Sequence, residues 1–274
     1  MSTWHSPDPP KVVPIGPAGW RRIALKAALL TLVISGGLAL LLVIRLIEHP
    51  LCAPRRPVTP QITRAVCRIS LRLIGITRLQ RGQPMPGAGA LLANHAGWLD
   101  ILALNAATTL YFVAKAEVAG WPGIGWLARA TGTLFITRKT GLAQAQAAEV
   151  ELRLRAGHRL LFFPEGTSSD ALRVLPFKST LFAAFFTPDL RPLLQIQPVT
   201  VVYHAPPDHD PRLYGWWGDM AFAPHLLQVL ATSPQGGVEV IFHPPVEVSD
   251  FPDRKALAAY CEAVIRHAHV AARG

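Results

Sequence analysis

The sequence predicts an α/β fold, a mixed sheet with helices on both faces, preceded by an N-terminal membrane helix. Three observations predict it. From Gln83 onward, short apolar runs alternate with helical patterns. Those runs are nearly continuous in apolar residues, as strands covered on both faces are. Ahead of them, residues 27–44, "AALLTLVISGGLALLLVI", carry no charge at all.

The chain divides into four stretches. Residues 1–20 hold five prolines between Pro7 and Pro17 and read as a disordered tail. Residues 21–48 read as the membrane helix. Its uncharged run would cover about 27 Å of a hydrocarbon core about 30 Å thick, with Lys26 and Arg45 at its ends placed to snorkel. It is too long for the apolar part of a secretory signal, and no small-x-small cleavage pattern follows. Residues 49–82 comprise a Pro-rich joint, "HPLCAPRRPVTP", and a basic amphipathic segment, "ITRAVCRISLRLIGITRL". There Arg64, Arg68 and Arg72 share one helical face opposite Val66, Ile69, Leu73 and Ile76. Such a helix suits an anionic lipid surface beside a membrane segment; the alternative is an amphipathic helix packed on its own domain. Residues 83–274 form the remaining α/β domain with its C-terminal helix.

Charge supports the division. Residues 1–82 hold 12 of the 27 Lys and Arg but only 2 of the 17 Asp and Glu, so the whole net +10 sits there. Beside an uncharged apolar run, that excess points to membrane lipid and not to nucleic acid. Three cysteines in no metal-like spacing (Cys52, Cys67, Cys261) argue against a disulfide framework.

Within 83–274, "GALLANH", "TLYFVAK", "GTLFITR", "HRLLFFPEG", "IQPVTVVY" and "VEVIFHPP" read as strands. "GLAQAQAAEVELRLRAG" reads as a helix closed by Gly157. "SDFPDRKALAAYCEAVIRHAHVAA" reads as another, entered through Ser249 or Asp250. In such sheets ligands bind beyond strand ends, and three polar motifs stand at such ends: "NHAGWLD", "GTLFITR" and "FPEGTSSD". His95 and Asp100 are five residues apart. A carboxylate on one imidazole nitrogen fixes the tautomer and leaves the other as a base. A hydrolytic metal site built from His95, Asp100 and His243 is the competing chemistry.

Taken together and in this order, Asn94, His95 and Asp100, then Gly132, Phe135, Ile136 and Arg138, then Phe163, Pro164, Glu165, Gly166 and Thr167, then Pro198 resemble the motif set of the glycerolipid acyltransferases, over roughly residues 75–245. The resemblance implies a fold like that of glycerol-3-phosphate acyltransferase. It also implies a membrane-bound enzyme with its catalytic domain on the cytoplasmic face of a bacterial inner membrane. No cofactor or metal is expected to be bound. A fatty acyl group passes from a thioester donor, acyl-CoA or acyl-acyl carrier protein, to a lysolipid hydroxyl. His95 would be the general base and Asp100 its orienting partner. No "GxSxG" elbow supplies a catalytic serine. Backbone N–H groups near Gly166 or in the His95 turn would hold the oxyanion. The acceptor-side set is Asn94, Arg138, Glu165, Gly166, Thr167 and Ser168, with Lys115 and Lys178 as further candidates. The phosphate-accepting members usually follow "FPEGT" with arginine, whereas this chain has Ser168, Ser169 and Asp170. That departure, with "VLPFKSTLF" and "YGWWGDM", resembles the bacterial lyso-ornithine lipid branch, whose acceptor carries an ammonium. The alternative is 1-acyl-sn-glycerol-3-phosphate as acceptor, giving phosphatidic acid.

Overall fold

The computed structural model describes residues 3–6, 8, 13–137 and 143–274. The chain runs α1 (Pro17–Cys52), α2 (Thr59–Ile74), β1 (Thr77–Arg81), β2 (Gly89–Ala93), α3 (Leu99–Ala107), β3 (Tyr111–Lys115), α4 (Ile124–Thr131), β4 (Leu134–Ile136), α5 (Ala143–Arg155), β5 (Arg159–Phe162), β6 (Gln195–His204), α6 (Phe222–Ala231), β7 (Gly237–Phe242), β8 (Val246–Glu247) and α7 (Arg254–Ala271). The sheet order is β1-β7-β6-β2-β5-β3-β4, with β8 beside β6. Pairing is parallel except where β6 meets β7 and β8, so the sheet is mixed. Every residue of β2 is buried, which explains its unbroken apolar run. One core cluster packs α1, α2 and α3 with strands, including Ile23, Leu30, Cys67, Leu71, Ile74, Leu91 and Leu104. Another packs α5 and α7, including Val150, Leu154, Leu257 and Cys261.

Several sequence expectations shift. Thr77–Arg81, read as the tail of the interfacial segment, is an edge strand paired with β7, so the sheet begins before residue 83. The first helix starts at Pro17, inside the stretch read as a tail, and continues through Pro50. The cap of α7 is Asp253, whose carboxylate accepts from Lys255 N and Ala256 N, rather than Ser249 or Asp250, which lie in a short 3-10 turn. Gly157 takes the left-handed conformation (φ 87°) expected after α5.

The largest correction concerns the cations of the N-terminal third. Arg64 Nη2 donates to Ala107 O and Arg68 Nε to Ala106 O, both 2.8 Å. They satisfy orphan carbonyls at the end of α3, and the helix dipole favours cations there. Arg22 does the same for α6 through Ala231 O, and Lys26 for α2 through Ile74 O. Lys26 therefore does not snorkel, and only Arg72 of the arginine stripe is fully exposed. Glu48 closes the α1–α2 hairpin by accepting from Val58 N, Thr59 N and Thr59 Oγ1 at 2.5–3.1 Å. The outer side of α1 stays apolar: Leu25, Leu29, Leu32, Leu40, Val43, Leu46 and Ile47 are exposed. This helix is long and apolar enough to cross a membrane.

Candidate active site

The strands β2 and β5 are neighbours and parallel. Their C-terminal ends deliver two motifs to one place: "NHAGWLD" follows β2, and "FPEGTSS" follows β5. Asp100 sits in the first turn of α3 and is completely buried. Its Oδ2 accepts from Ala96 N (2.8 Å) and Gly97 N (3.1 Å) and lies 2.7 Å from His95 Nδ1. Its Oδ1 accepts from the Tyr203 hydroxyl at 2.8 Å. A carboxylate facing Nδ1 holds the ring proton there and leaves Nε2 as the basic nitrogen. The His95 side chain keeps 22% of its surface exposed while Asp100 keeps none. Phe163 stacks on the imidazole, centroids 3.9 Å apart and planes 16° apart.

The backbone of the turn is held as firmly. His95 N donates to Glu165 Oε2 (3.0 Å), and His95 O accepts from Ser169 N (2.9 Å). Ala96 O accepts from Trp216 N (2.8 Å). Asn94 is buried and pairs with Val201 on β6 through both amide atoms, 2.9 and 2.8 Å. It clasps β2 to β6 with both amide atoms engaged by the protein. Glu165 is engaged by backbone as well. It is 1% exposed, and its second oxygen accepts from Leu175 N at 2.9 Å. Burial pushes its carboxyl well above the usual range, outweighing the two N–H donors. It braces two loops from beneath.

Gly166, Thr167 and Ser168 form the half-exposed turn over the site, and Gly166 has φ 70°, which a side chain rarely adopts. Lys115 is exposed at the end of β3, and Lys178 is half-buried with its N–H on Pro164 O. Arg138 lies outside the described residues. Asp170 presents no uncompensated charge to an acceptor: it is buried, accepts from Leu172 N and pairs with Arg173 at 2.9 Å. Half of the Arg173 side chain is exposed beside the turn. The oxyanion expectation narrows as well. The N–H groups of His95, Ala96, Gly97 and Gly166 are all engaged. Among the described residues, those of Thr167 and Ser168 donate to no backbone carbonyl.

The sequence reading missed Tyr203 and Arg173, and gave Ser169 and Trp216, which stand in quoted motifs, no part in holding the His95 turn. Tyr203 ends a strand that was recognised, but nothing local ties it to Asp100, 103 residues away. His243, the third ligand of the metal alternative, bonds the Thr200 hydroxyl at 2.8 Å. Among the described residues no group of three His, Cys, Asp or Glu side chains converges.

A buried Asp100 paired with a partly exposed His95 stands beyond the ends of parallel strands, an arrangement that can serve as a general base. The acyltransferase family model matches residues 71–202. The chain is 58% identical over 263 residues to a lyso-ornithine lipid O-acyltransferase of Rhodobacter capsulatus, covering 96% of this chain and 95% of that one. It is 37% identical over 214 residues to the lyso-ornithine lipid O-acyltransferase of Brucella abortus, covering 73% and 78%. The crystal structure of the 1-acyl-sn-glycerophosphate acyltransferase of Thermotoga maritima superposes with a TM-score of 0.62 at 20% identity, covering 94% of this chain and 98% of that one, and so shares the fold. The chain belongs to the acyltransferase family.

Proposed function

We propose that this acyltransferase moves a fatty acyl group from a thioester, on coenzyme A or acyl carrier protein, to the hydroxyl of lyso-ornithine lipid. The observation that carries the reading is the His95–Asp100 pair, saturated around Asp100 and open at His95 Nε2, in a chain 58% identical to a lyso-ornithine lipid O-acyltransferase. His95 Nε2 takes the acceptor's hydroxyl proton as the oxygen attacks the thioester carbon. Asp100, held by Tyr203 and two N–H groups, keeps the ring oriented and stabilises the imidazolium. The tetrahedral oxyanion accepts from Thr167 N and Ser168 N. Collapse breaks the C–S bond, and the proton on Nε2 passes to the leaving thiolate. Ser168, standing where the phosphate-accepting enzymes place arginine, puts no guanidinium at that position, and the nearby Arg173 is paired with Asp170, which suits an acceptor bearing an ammonium.

The test is a panel with one donor and two acceptors. Lyso-ornithine lipid should be acylated at least as well as 1-acyl-sn-glycerol-3-phosphate. Acylation of the phosphate acceptor alone would sink the assignment and leave the second reading, phosphatidic acid synthesis, in place.

The membrane placement follows from α1. Arg22 ties its start to α6, and Arg56, just past its end, lies over Tyr111 of β3. The helix thus lies along the domain rather than projecting from it, with its leucines outward. We infer that it sinks into one leaflet, in-plane, and that the domain sits on the cytoplasmic face of a bacterial inner membrane. Each such leucine gains about 1.5–3 kcal/mol when fully buried. Replacing Leu25, Leu29 and Leu32 by Ser should abolish vesicle flotation while high salt does not. Deleting residues 1–80 is a poor test, because it removes most of β1 and core residues of α1 and α2.

A further inference from the structure

Away from His95, the N-terminal ends of β3, β4 and β5 gather cations and donors without acceptors. Arg56, from the Pro-rich joint, and Arg153, from α5, both lie over the ring of Tyr111, 5.6 and 4.5 Å from its centroid. Arg153 Nη2 donates to Gly132 O at 2.9 Å, and its Nε donates to His158 Nδ1 at 2.7 Å. With Nδ1 accepting, the neutral His158 ring carries its proton on Nε2. That Nε2–H, the Tyr111 hydroxyl and Arg56 Nη1 are all buried and have no hydrogen-bond partner among the described residues. The rings of Tyr111 and His158 are 4.4 Å apart, so the two orphan donors belong to one cluster. Gly132 permits the gathering: a Cβ there would stand 2.1 Å from Arg56 Nη1.

All three orphans can donate, and the local charge is positive. Among the described residues, Arg45, Arg56 and Arg153 form no ion pair. The Glu48 carboxylate is within electrostatic reach of Arg56 but is spent on the start of α2, and Glu149 is within reach of Arg153 but forms no ion pair with it among the described residues. A buried donor without an acceptor costs about 1–3 kcal/mol, and clustered guanidinium groups repel. One anion with several acceptor oxygens answers both.

We propose that Arg45, Arg56 and Arg153, with the Tyr111 hydroxyl and His158 Nε2–H, form a phosphate-binding site where the α1–α2 layer meets the domain. The site is separate from the acyl-transfer centre. Tyr111 begins β3 and His158 precedes β5, whereas His95 lies beyond the opposite end of these parallel strands, about 13 Å of strand away. Arginine forks match phosphate oxygens, and a tyrosine hydroxyl and an imidazole N–H complete the set. Burial, with Arg45 and Arg153 nearby, already holds the Arg56 guanidinium down at about 10, a penalty an anion would relieve. The phosphate comes from an anionic lipid headgroup beside the apolar face of α1, or from free phosphate.

The experiment uses the full chain in neutral detergent. Inorganic phosphate is titrated by calorimetry at constant ionic strength, with chloride as the balance. In parallel, flotation compares phosphatidylcholine vesicles with and without phosphatidylglycerol. Saturable phosphate binding, weakened at least about tenfold by Arg56→Gln and unchanged by Arg138→Ala, supports the site. A phosphatidylglycerol-dependent gain in flotation that Arg56→Gln removes also supports it, and identifies the headgroup as the source. Tyr111→Phe should weaken binding by a smaller factor without disturbing the fold, so it decides the matter if Arg56→Gln is poorly folded. Acyl transfer in detergent by Arg56→Gln should match wild type, which separates this site from the proposed reaction. The proposal is overturned if wild type binds neither probe above the chloride control, or if Arg56→Gln and Tyr111→Phe bind both as wild type does.

Discussion

The two ends of the parallel strands treat polar groups in opposite ways. Beyond the C-terminal ends of β2 and β5, the acceptors around His95 are matched, and Asp170 Oδ2 meets Arg173 as an ion pair. Asp100 takes four donors, Glu165 takes two, and Asn94 is matched on both sides. Before the N-terminal ends of β3 and β5, donors outnumber acceptors among the described residues, and Arg56, Tyr111 and His158 each keep one that none of these matches. A saturated network can hold one imidazole in one orientation, because any other orientation abandons several buried bonds. An unsaturated cluster does the reverse and favours whatever brings the missing acceptors. The first arrangement suits chemistry at a fixed atom, the second suits binding.

The sharpest break of this comparison is His95→Ala. Acyl transfer should become undetectable with the fold intact, and Asp100→Asn should lower the rate by about 10²–10⁴-fold, read as kcat with the acceptor KM little changed. Near-normal turnover by His95→Ala would end the general-base reading. Asn94→Ala tests whether the saturated end owes its rigidity to the clasp. It strands a buried N–H and a buried C=O of Val201, at about 1–3 kcal/mol each. Urea unfolding should therefore lose about 2–6 kcal/mol, while the surviving folded enzyme keeps its acceptor preference. An unchanged midpoint would mean that β6 needs no clasp.

Ser168→Arg probes the half-exposed turn beside the saturated end. A charge-assisted bond contributes roughly 1.5–3 kcal/mol, so the ratio of acceptors should move one to two powers of ten toward the phosphate substrate. The change should appear in KM, because the headgroup is held alike in ground and transition states. Because Arg173 already neutralises Asp170, Arg173→Ala should weaken both acceptors and lower stability as well. If Ser168→Arg leaves the ratio unmoved, the turn does not face the headgroup.

The smallest effect is on pH. Burial lowers His158, His225 and His269 from the usual 6.5 to about 4. Above pH 6.5 all three are neutral whether the chain is folded or not. Between 6.5 and about 4 the unfolded chain takes up protons that the folded chain refuses, so stability falls as pH falls. The slope should be on the order of 1 kcal/mol per histidine per pH unit. His225→Gln should remove on the order of 1 kcal/mol per pH unit of it, measured as urea midpoints at pH 7 and 5. A slope unaltered by that change would mean His225 is not held neutral.

What the sequence determined by itself was whatever is written locally. Continuous apolar runs marked the strands β2 to β7, most clearly the central β2, β5 and β6, which are almost wholly buried, and the spacing of His95 to Asp100 marked the pair because both sit on one turn. The uncharged run marked α1 for the same reason: hydropathy is a property of neighbours along the chain. The thin signals failed. Thr77–Arg81 is a largely exposed edge strand with no apolar pattern to betray it, and α3 follows the motif so closely that its helical period is masked. Only the tertiary structure decided which partner each polar group takes. The arginine spacing of α2 fixed a common face, but whether that face meets lipid or the carbonyl end of α3 depends on where α3 lies. Glu165 and Asn94 carry motif positions, yet their oxygens are claimed by backbone 70 and 107 residues distant. Tyr203 reaches Asp100 from across the sheet. Hydrogen bonds are short and directional, so they report neighbours in space, and a sequence lists only neighbours in line.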